Sequence, residues 1–296
     1  MRIWVMAARP RTLPAAIAPV LVGTAAAVEW AGKLPRLGAF LAALIGSIFI
    51  QIGTNLANDY SDARRGADTA DRLGPVRVTS AGLVTPRRVL DATWIAFGVA
   101  IACGVYLAVV AGPVILLIGA FSIAAGVLYT GGPKPYGYLG LGEVMVFVFF
   151  GLVAVIGTAY VQSESFTLPA LYAAVGIGAL ACAILVANNL RGIPTDREVG
   201  KRTLAVVLGD ERTRGLYALL VGLALVALVA LVLATSTWAA LGALGLLVAA
   251  RAARVVLGGA QGRELVPVLQ QTGLAELAYG AGILVGLLVG LLVGAG

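Results

Sequence analysis

The chain has 296 residues, 60% of them hydrophobic and only 12% charged, with a formal net charge of +7 and a mean hydropathy of +0.98. Soluble domains are about half apolar and about a quarter charged, so an ordinary soluble domain is excluded. No histidine is present, which excludes a histidine-based triad, histidine-ligated zinc or haem and the commonest general base; any metal must be held by carboxylates and amides.

The first eleven residues carry Arg2, Arg9 and Arg11 ahead of an apolar stretch. No small-residue cleavage site follows, so this arm reads as the lead into an uncleaved first helix. A membrane-crossing helix needs about 20 mostly apolar residues. Runs of that kind lie near 12–29, 37–58, 88–110, 112–130, 140–162, 168–190, 215–234, 237–256 and 274–294. The sequence therefore predicts an all-α bundle of about nine transmembrane helices, one domain over 1–296. Pro14 and Pro19 fall in the first run, which a membrane helix tolerates when neighbours satisfy the freed carbonyls. Cys103 and Cys182 sit inside apolar runs, where free cysteine behaves as a small hydrophobe.

Charge orients the bundle. With the N-terminus on one side, the segments 59–87, 131–139, 191–214 and 257–273 return to it, and with the arm and the adjoining helix ends they hold 19 of the 21 Lys and Arg. Only Lys33 and Arg36 lie opposite. The positive-inside rule places the N-terminus and these segments in the cytoplasm, as expected for a multi-pass protein of the cell's inner (plasma) membrane. Segments 59–87 and 191–214 are much longer than a connection requires, and long loops of mixed composition are usually functional. Each follows a run with an Asn-rich end, as in an imperfect internal duplication. No ionisable residue is expected in the middle of the last three spans.

Asn55, Asn58, Asp59 and Asp62 are spaced i, i+3, i+4 and i+7, which aligns them on one helix face at the inner end of the second span. Gly66 can end that helix and fold the loop back, bringing Asp68 or Asp71 to the same point. Carboxylates at membrane depth are costly unless paired or coordinated, so the stripe is a candidate site. Hard oxygen ligands suit Mg²⁺ together with substrate phosphates. The bland alternative is a solvated helix end with ion pairs to Arg64, Arg65 or Arg72.

A second constellation is Asn188, Asn189, Arg191, Gly192, Pro194, Asp196, Glu198, Lys201 and Arg202. Pro194 is expected to kink or end its helix. The Gly200-Lys201-Arg202-Thr203 run lacks the glycine spacing of a nucleotide-binding loop; Arg202, Arg212 and Arg214 also read as inner-face anchors. A third stretch, from Tyr129 to Tyr138, holds glycines and prolines of an irregular loop, with Lys134, Tyr136 and Tyr138 as donors to phosphate or to bound substrate. Glu143 is a further acid or supporting partner with no assigned proton.

These motifs resemble those of the UbiA-type intramembrane prenyltransferases. Their Asn-Asp-x-x-Asp motif is matched by Asn58, Asp59 and Asp62, and their second acidic motif by Asn188, Asn189, Arg191 and Asp196. Arg72-Leu-Gly-Pro-Val-Arg77 and Pro135-Tyr-Gly-Tyr138 are similar to the naphthoate-prenylating branch. The resemblance implies nine helices around a central cavity open laterally to lipid. It also implies Mg²⁺-dependent transfer of a chain from a polyprenyl diphosphate to 1,4-dihydroxy-2-naphthoate with loss of CO₂. Carried over residue by residue, Asp59, Asp62, Lys134 and Asp196 are catalytic; Asn58, Asp59, Asp62, Asp68 and Asp196 hold metal. Asn55, Asn58, Arg72, Arg77, Tyr138, Asn188, Asn189, Arg191 and Lys201 bind substrate, and Arg9, Arg11 or Arg77 holds the acceptor carboxylate. Two departures stand out: Gly192 replaces an expected aspartate four before Asp196, and Asp62 and Asp68 are six apart where four is usual. A small-molecule membrane transporter is the rival from another class, with broken helices around a midplane site. A phosphoalcohol transferase is disfavoured because Asp62-Ala-Arg-Arg-Gly66 does not match its motif. No nucleic-acid partner is expected.

Overall fold

The computed structural model describes residues 2–66 and 77–294, and all regular structure among them is helical. A short helix α1 (Arg2–Ala8) and a single turn, Pro10–Thr12, lead into α2 (Pro14–Ala31), α3 (Leu37–Arg65), α4 (Pro86–Ala111) and α5 (Val114–Leu128). After an irregular loop come α6 (Gly142–Ser163), α7 (Leu168–Glu198), the one-turn α8 (Leu204–Leu208), α9 (Asp210–Ala234), α10 (Thr237–Leu257) and α11 (Gly262–Val293). Eight of these are long and apolar enough to cross a membrane, and α5 is a ninth apolar helix of 15 residues. At 1.5 Å per residue α5 is short for a full crossing.

The central helix packs mostly through small side chains, while many large ones face outward. Ala173, Ala174, Ile177, Leu180 and Ala183 of the central helix α7 are fully buried, whereas Val109, Phe121 and Leu233 are 84%, 68% and 83% exposed on the rim. Lipid tails are as apolar as leucine, so large side chains gain little by turning inward, and small ones let backbones approach. A Cβ on Gly245 of α10 would stand 2.3 Å from the Ala275 carbonyl of α11, and one on Gly151 of α6 would stand 2.7 Å from the Cα of Gly178 in α7. The middle of α6, Phe147–Ile156, is wound as a π-helix, a rare form that is frequent at functional sites.

The two ends of the bundle differ as the charge pattern predicts. Arg36 pairs with Glu164 at 2.8 Å at one end. At the other, Arg77 meets Asp62, and the backbone N–H of Arg202 donates to the carbonyl of Tyr138 at 3.1 Å. The segments that follow α3, α5 and α7 therefore meet at a single end.

Four expectations are corrected. Pro194 does not end its helix: α7 runs on to Glu198, because the proline removes a single N–H bond and sits one turn from the end, where little helix is left to disrupt. Segment 191–214 is accordingly not a long loop; it is divided among α7, α8 and α9. Arg214 is not a surface anchor. It is buried, bonded to both carboxylate oxygens of Asp210 and to the carbonyls of Val256 and Ala260, so it ties α9 to the end of α10. Finally, Glu276 lies midway along α11, fully buried, with neither carboxylate oxygen hydrogen-bonded.

Candidate active site

The inner half of α3 presents a buried polar stripe. Gln51, Asn55, Asn58, Asp59 and Asp62 are each 9% exposed or less, and each is held by a donor or acceptor from elsewhere in the chain. Gln51 and Asn55 donate to Thr12 Oγ1 at 3.2 and 2.9 Å, and Asn55 also donates to the Ala8 carbonyl at 3.1 Å. The N-terminal arm is thus strapped across the stripe. Asn58 accepts from Thr130 at 2.8 Å. Asp59 accepts the backbone N–H groups of Val78 and Thr79 at 2.9 and 3.0 Å. Asp62 accepts from Tyr138 at 2.6 Å and pairs with the buried Arg77.

Gly66 closes α3 with φ +63°, its N–H returning to Asp62 and Ala63. This is the left-handed cap that glycine provides without steric cost. Asp68, Asp71 and Arg72 lie outside the described residues. Among the described residues of this helix end, Arg64 donates to Tyr60 at 3.1 Å and Arg65 donates to the Gly132 carbonyl, and the arginine that meets its acids is Arg77, from a separate segment.

The second motif faces the first from α7. Asn189 donates to Glu143 at 2.9 Å, Asn188 donates to Asn189 at 3.4 Å, and Arg191 donates to Asn188 at 2.8 Å. Because α7 continues past Pro194, Gly192 and Asp196 stand one turn apart on the same side. A Cβ on Gly192 would lie 3.0 Å from Asp196 Oδ2. The glycine that replaces the expected aspartate thus gives the Asp196 carboxylate its room.

The third stretch closes this end. Lys201 sits over the Tyr138 ring, 4.6 Å from its centre, a cation–π contact on the tyrosine that donates to Asp62. Lys134 is exposed. Tyr136 is spent on the Ala125 carbonyl at 2.8 Å, and burial pushes its phenol up to about 12. The Tyr138 phenol is also raised, by burial first, then by its bond to Asp62 and that carboxylate's charge, against the opposing pull of Arg65 and Arg77. Tyr129 is raised by burial and by the neighbouring Glu143, Tyr136, Asp62 and Asp196, so this one phenol feels acids from both motifs. All three phenols stay protonated at neutral pH, and Tyr136 and Tyr138 act as donors.

Below this end lies a cavity of about 420 Å³. Its polar rim includes Asn55, Asn58 and Asn188, and its walls include Phe149 and Phe150 of the π-helical segment, with Ile184 and Leu185 of α7. Arg9 is the single charged side chain among the described residues lining it. Its backbone is left-handed, φ +53°, and its carbonyl accepts from Thr12 at 3.0 Å. Thr12, Gln51, Thr130 and the Glu143–Asn189 bond were not singled out from sequence as site elements. A signal existed for Gln51, which continues the Asn55 stripe one turn earlier. The others are set by distant partners.

Among the described residues no three Asp, Glu, Cys or His side chains are arranged as a metal cage. The donor set still fits a hard divalent ion, since Asn58, Asp59, Asp62 and Asp196 offer only oxygen and a guanidinium stands on Asp62 in the place of a cation.

The sequence profile of the UbiA prenyltransferase family matches residues 16–264. A 1,4-dihydroxy-2-naphthoate octaprenyltransferase of Mycobacterium tuberculosis is 49% identical over 276 residues, 93% of each chain. The Escherichia coli protein of the same name is 42% identical over 229 residues, 75% of this chain and 74% of that one. Among solved structures, the apo form of a UbiA homolog from Aeropyrum pernix K1 superposes with a TM-score of 0.72 at 17% identity, covering 94% of this chain and 98% of that one. A UbiA homolog from Archaeoglobus fulgidus bound to GPP and Mg²⁺ gives 0.62 at 12% identity, covering 95% and 99%. At these identities the structural likeness speaks for the fold.

Proposed function

Because the chain belongs to the UbiA prenyltransferase family, we propose that it transfers a polyprenyl chain from its diphosphate to 1,4-dihydroxy-2-naphthoate, releasing diphosphate and CO₂. The observation that carries this reading is the cavity: apolar walls, an amide rim beneath two acidic helix ends, and one arginine. The names of the curated relatives supply the acceptor.

Asn58, Asp59, Asp62, Asp68 and Asp196 are assigned to hold Mg²⁺, which when bound neutralises charge developing on the leaving diphosphate. Arg72, Lys134, Arg191 and Lys201 donate to the diphosphate oxygens, while Tyr138 and Arg77 hold Asp62 in place. The allylic C–O bond breaks and its electron pair leaves with diphosphate. Phe149, Phe150, Ile184 and Leu185 keep water from the allylic carbon, where it would give the prenyl alcohol instead. The ring carbon bearing the carboxylate then forms the new C–C bond. The bond to the carboxylate breaks, its pair returns to the ring and CO₂ departs, so no external base is required.

Of the three arginines considered for the acceptor carboxylate, Arg11 is exposed and Arg77 is committed to Asp62, whereas Arg9 lines the cavity. Arg9 is therefore assigned to bind it. The donor tail stays in lipid while its head enters. The basic end of the bundle is assigned to the cytoplasmic face of the plasma membrane, from the positive-inside pattern.

The test is turnover by purified protein in detergent with Mg²⁺, a polyprenyl diphosphate and the naphthoate, following product mass and CO₂ against a chelated control. Chelator-sensitive prenyl naphthoquinol with matching CO₂ is expected. Arg9→Leu should raise KM for the naphthoate about 50-fold, the loss of one hydrogen-bonded charge pair. Diphosphate release without a naphthoate product would overturn the acceptor, and no consumption of donor by folded protein would overturn the reaction.

A further inference from the structure

We propose that Glu143 is a positioning residue that sets which way the Asn188–Asn189 pair presents its amides, an inference that rests on the prenyl-transfer reading above. Glu143 is the second residue of α6 and 7% exposed. Its Oε1 accepts from Asn189 Nδ2 at 2.9 Å, and its Oε2 is buried with no hydrogen-bond partner. Its backbone carbonyl accepts from Cys182 Sγ at 3.0 Å, which holds this turn of α6 against α7 independently of the side chain.

An asparagine amide is nearly symmetric in shape, with an acceptor on one arm and donors on the other, and either arm can face a neighbour. An ionised carboxylate only accepts. Facing the accepting Oε1 of Glu143, Asn189 turns its NH₂ outward to α6 and its carbonyl inward. That carbonyl receives the NH₂ of Asn188 at 3.4 Å, which leaves the Asn188 carbonyl to accept from Arg191 at 2.8 Å. One buried acceptor thus sets the sense of two amides and turns the Asn188 oxygen towards a guanidinium assigned to the diphosphate. Asn188 lines the cavity, whereas Glu143 does not, so Glu143 acts through its neighbours. A carboxylate at membrane depth is costly, and leucine or valine would match the neighbours Val144 and Val146. The orienting bond accounts for an acid at this position.

The experiment uses the full-length chain in detergent, with the polyprenyl diphosphate, the naphthoate and Mg²⁺ varied separately. Glu143→Ala should raise KM for the diphosphate and the Mg²⁺ concentration for half-activity about tenfold, the usual range for loss of a supporting contact. KM for the naphthoate should stay within about twofold by the same reasoning. Glu143→Gln keeps an accepting oxygen and should restore both parameters. Asn189→Asp sets two acceptors face to face and should impair activity; adding Glu143→Gln to it exchanges donor and acceptor and should recover most of the loss. Unchanged KM values in Glu143→Ala, equal rises for both substrates, or a Gln variant as impaired as Ala would each overturn the proposal. If Glu143→Ala does not fold, the exchanged pair decides, and no recovery over Asn189→Asp overturns it. A wild-type chain that transfers no prenyl group overturns the reaction and this role together, whereas an active wild type with an indifferent Glu143→Ala removes this role alone.

Discussion

The two acidic helix ends share a composition and differ in how they are held. At the end of α3, Asp59 and Asp62 are 1% exposed and take four bonds from the 77–79 segment and Tyr138. At the end of α7, Asp196 is half-buried, and a Cβ on Gly192, one turn away, would stand 3.0 Å from its Oδ2. One end is buried under donors arriving from distant parts of the chain; the other is more open and keeps room for its carboxylate through a glycine one turn away. A site that must receive a large anion and release it again profits from that division, since the buried half sets geometry and the more exposed half stays within reach of the ligand.

Breaking the buried end should have the largest effect. Asp62→Asn removes the charge that holds Arg77 and Tyr138, and turnover should fall about 10³-fold with helical content by circular dichroism intact; full activity would remove Asp62 from the site. Asp59→Ala leaves two backbone N–H groups without acceptors and should lower stability by about 3 kcal/mol, read as a lower melting temperature in detergent. An unchanged melt would mean that Val78 and Thr79 are held by something else. At the more exposed end, Gly192→Asp tests whether the site lacks a ligand or needs the room. The crowded Asp196 predicts a rise of about tenfold in the Mg²⁺ needed for half-activity, and a fall would reverse the contrast. The smallest effect belongs to Tyr138→Phe, about 1 kcal/mol of stability at neutral pH. Because the Tyr138 phenol is raised above the usual tyrosine value, its contribution is present below about pH 10 and is lost as the pH climbs further. The deficit of the Phe variant should therefore shrink in alkaline melts, and a pH-independent deficit would point to lost packing.

Much of the fold was legible because membrane helices announce themselves by length and apolarity. All nine predicted runs have a helical counterpart. The errors fall at the inner ends, where α3, α7, α9 and above all α11 extend beyond the apolar runs that marked them. Hydropathy finds where lipid must be faced and is silent on helix that projects past it. The stripe of Asn55, Asn58, Asp59 and Asp62 was equally readable, because i, i+3, i+4 and i+7 spacing is a property of the helix itself. The identity of its partners was not: Val78 and Thr79 lie about twenty positions away, and Tyr138 lies 76 away.

Glu276 and Arg214 mark the same boundary. By sequence one looked like the edge of a span and the other like an anchor in water; the packing of α11 and α10 puts both out of solvent. Composition, period and charge asymmetry by themselves determined that this chain crosses a membrane repeatedly, which end carries the basic residues and which helix face carries the acids, since each follows from local chemistry and helix geometry. Only the tertiary structure decided which acid meets which donor, that Arg9 rather than Arg11 or Arg77 faces the cavity, and that Gly192 makes room for Asp196. Those outcomes depend on helices meeting across long sequence separations, where a displacement of one turn changes every partner.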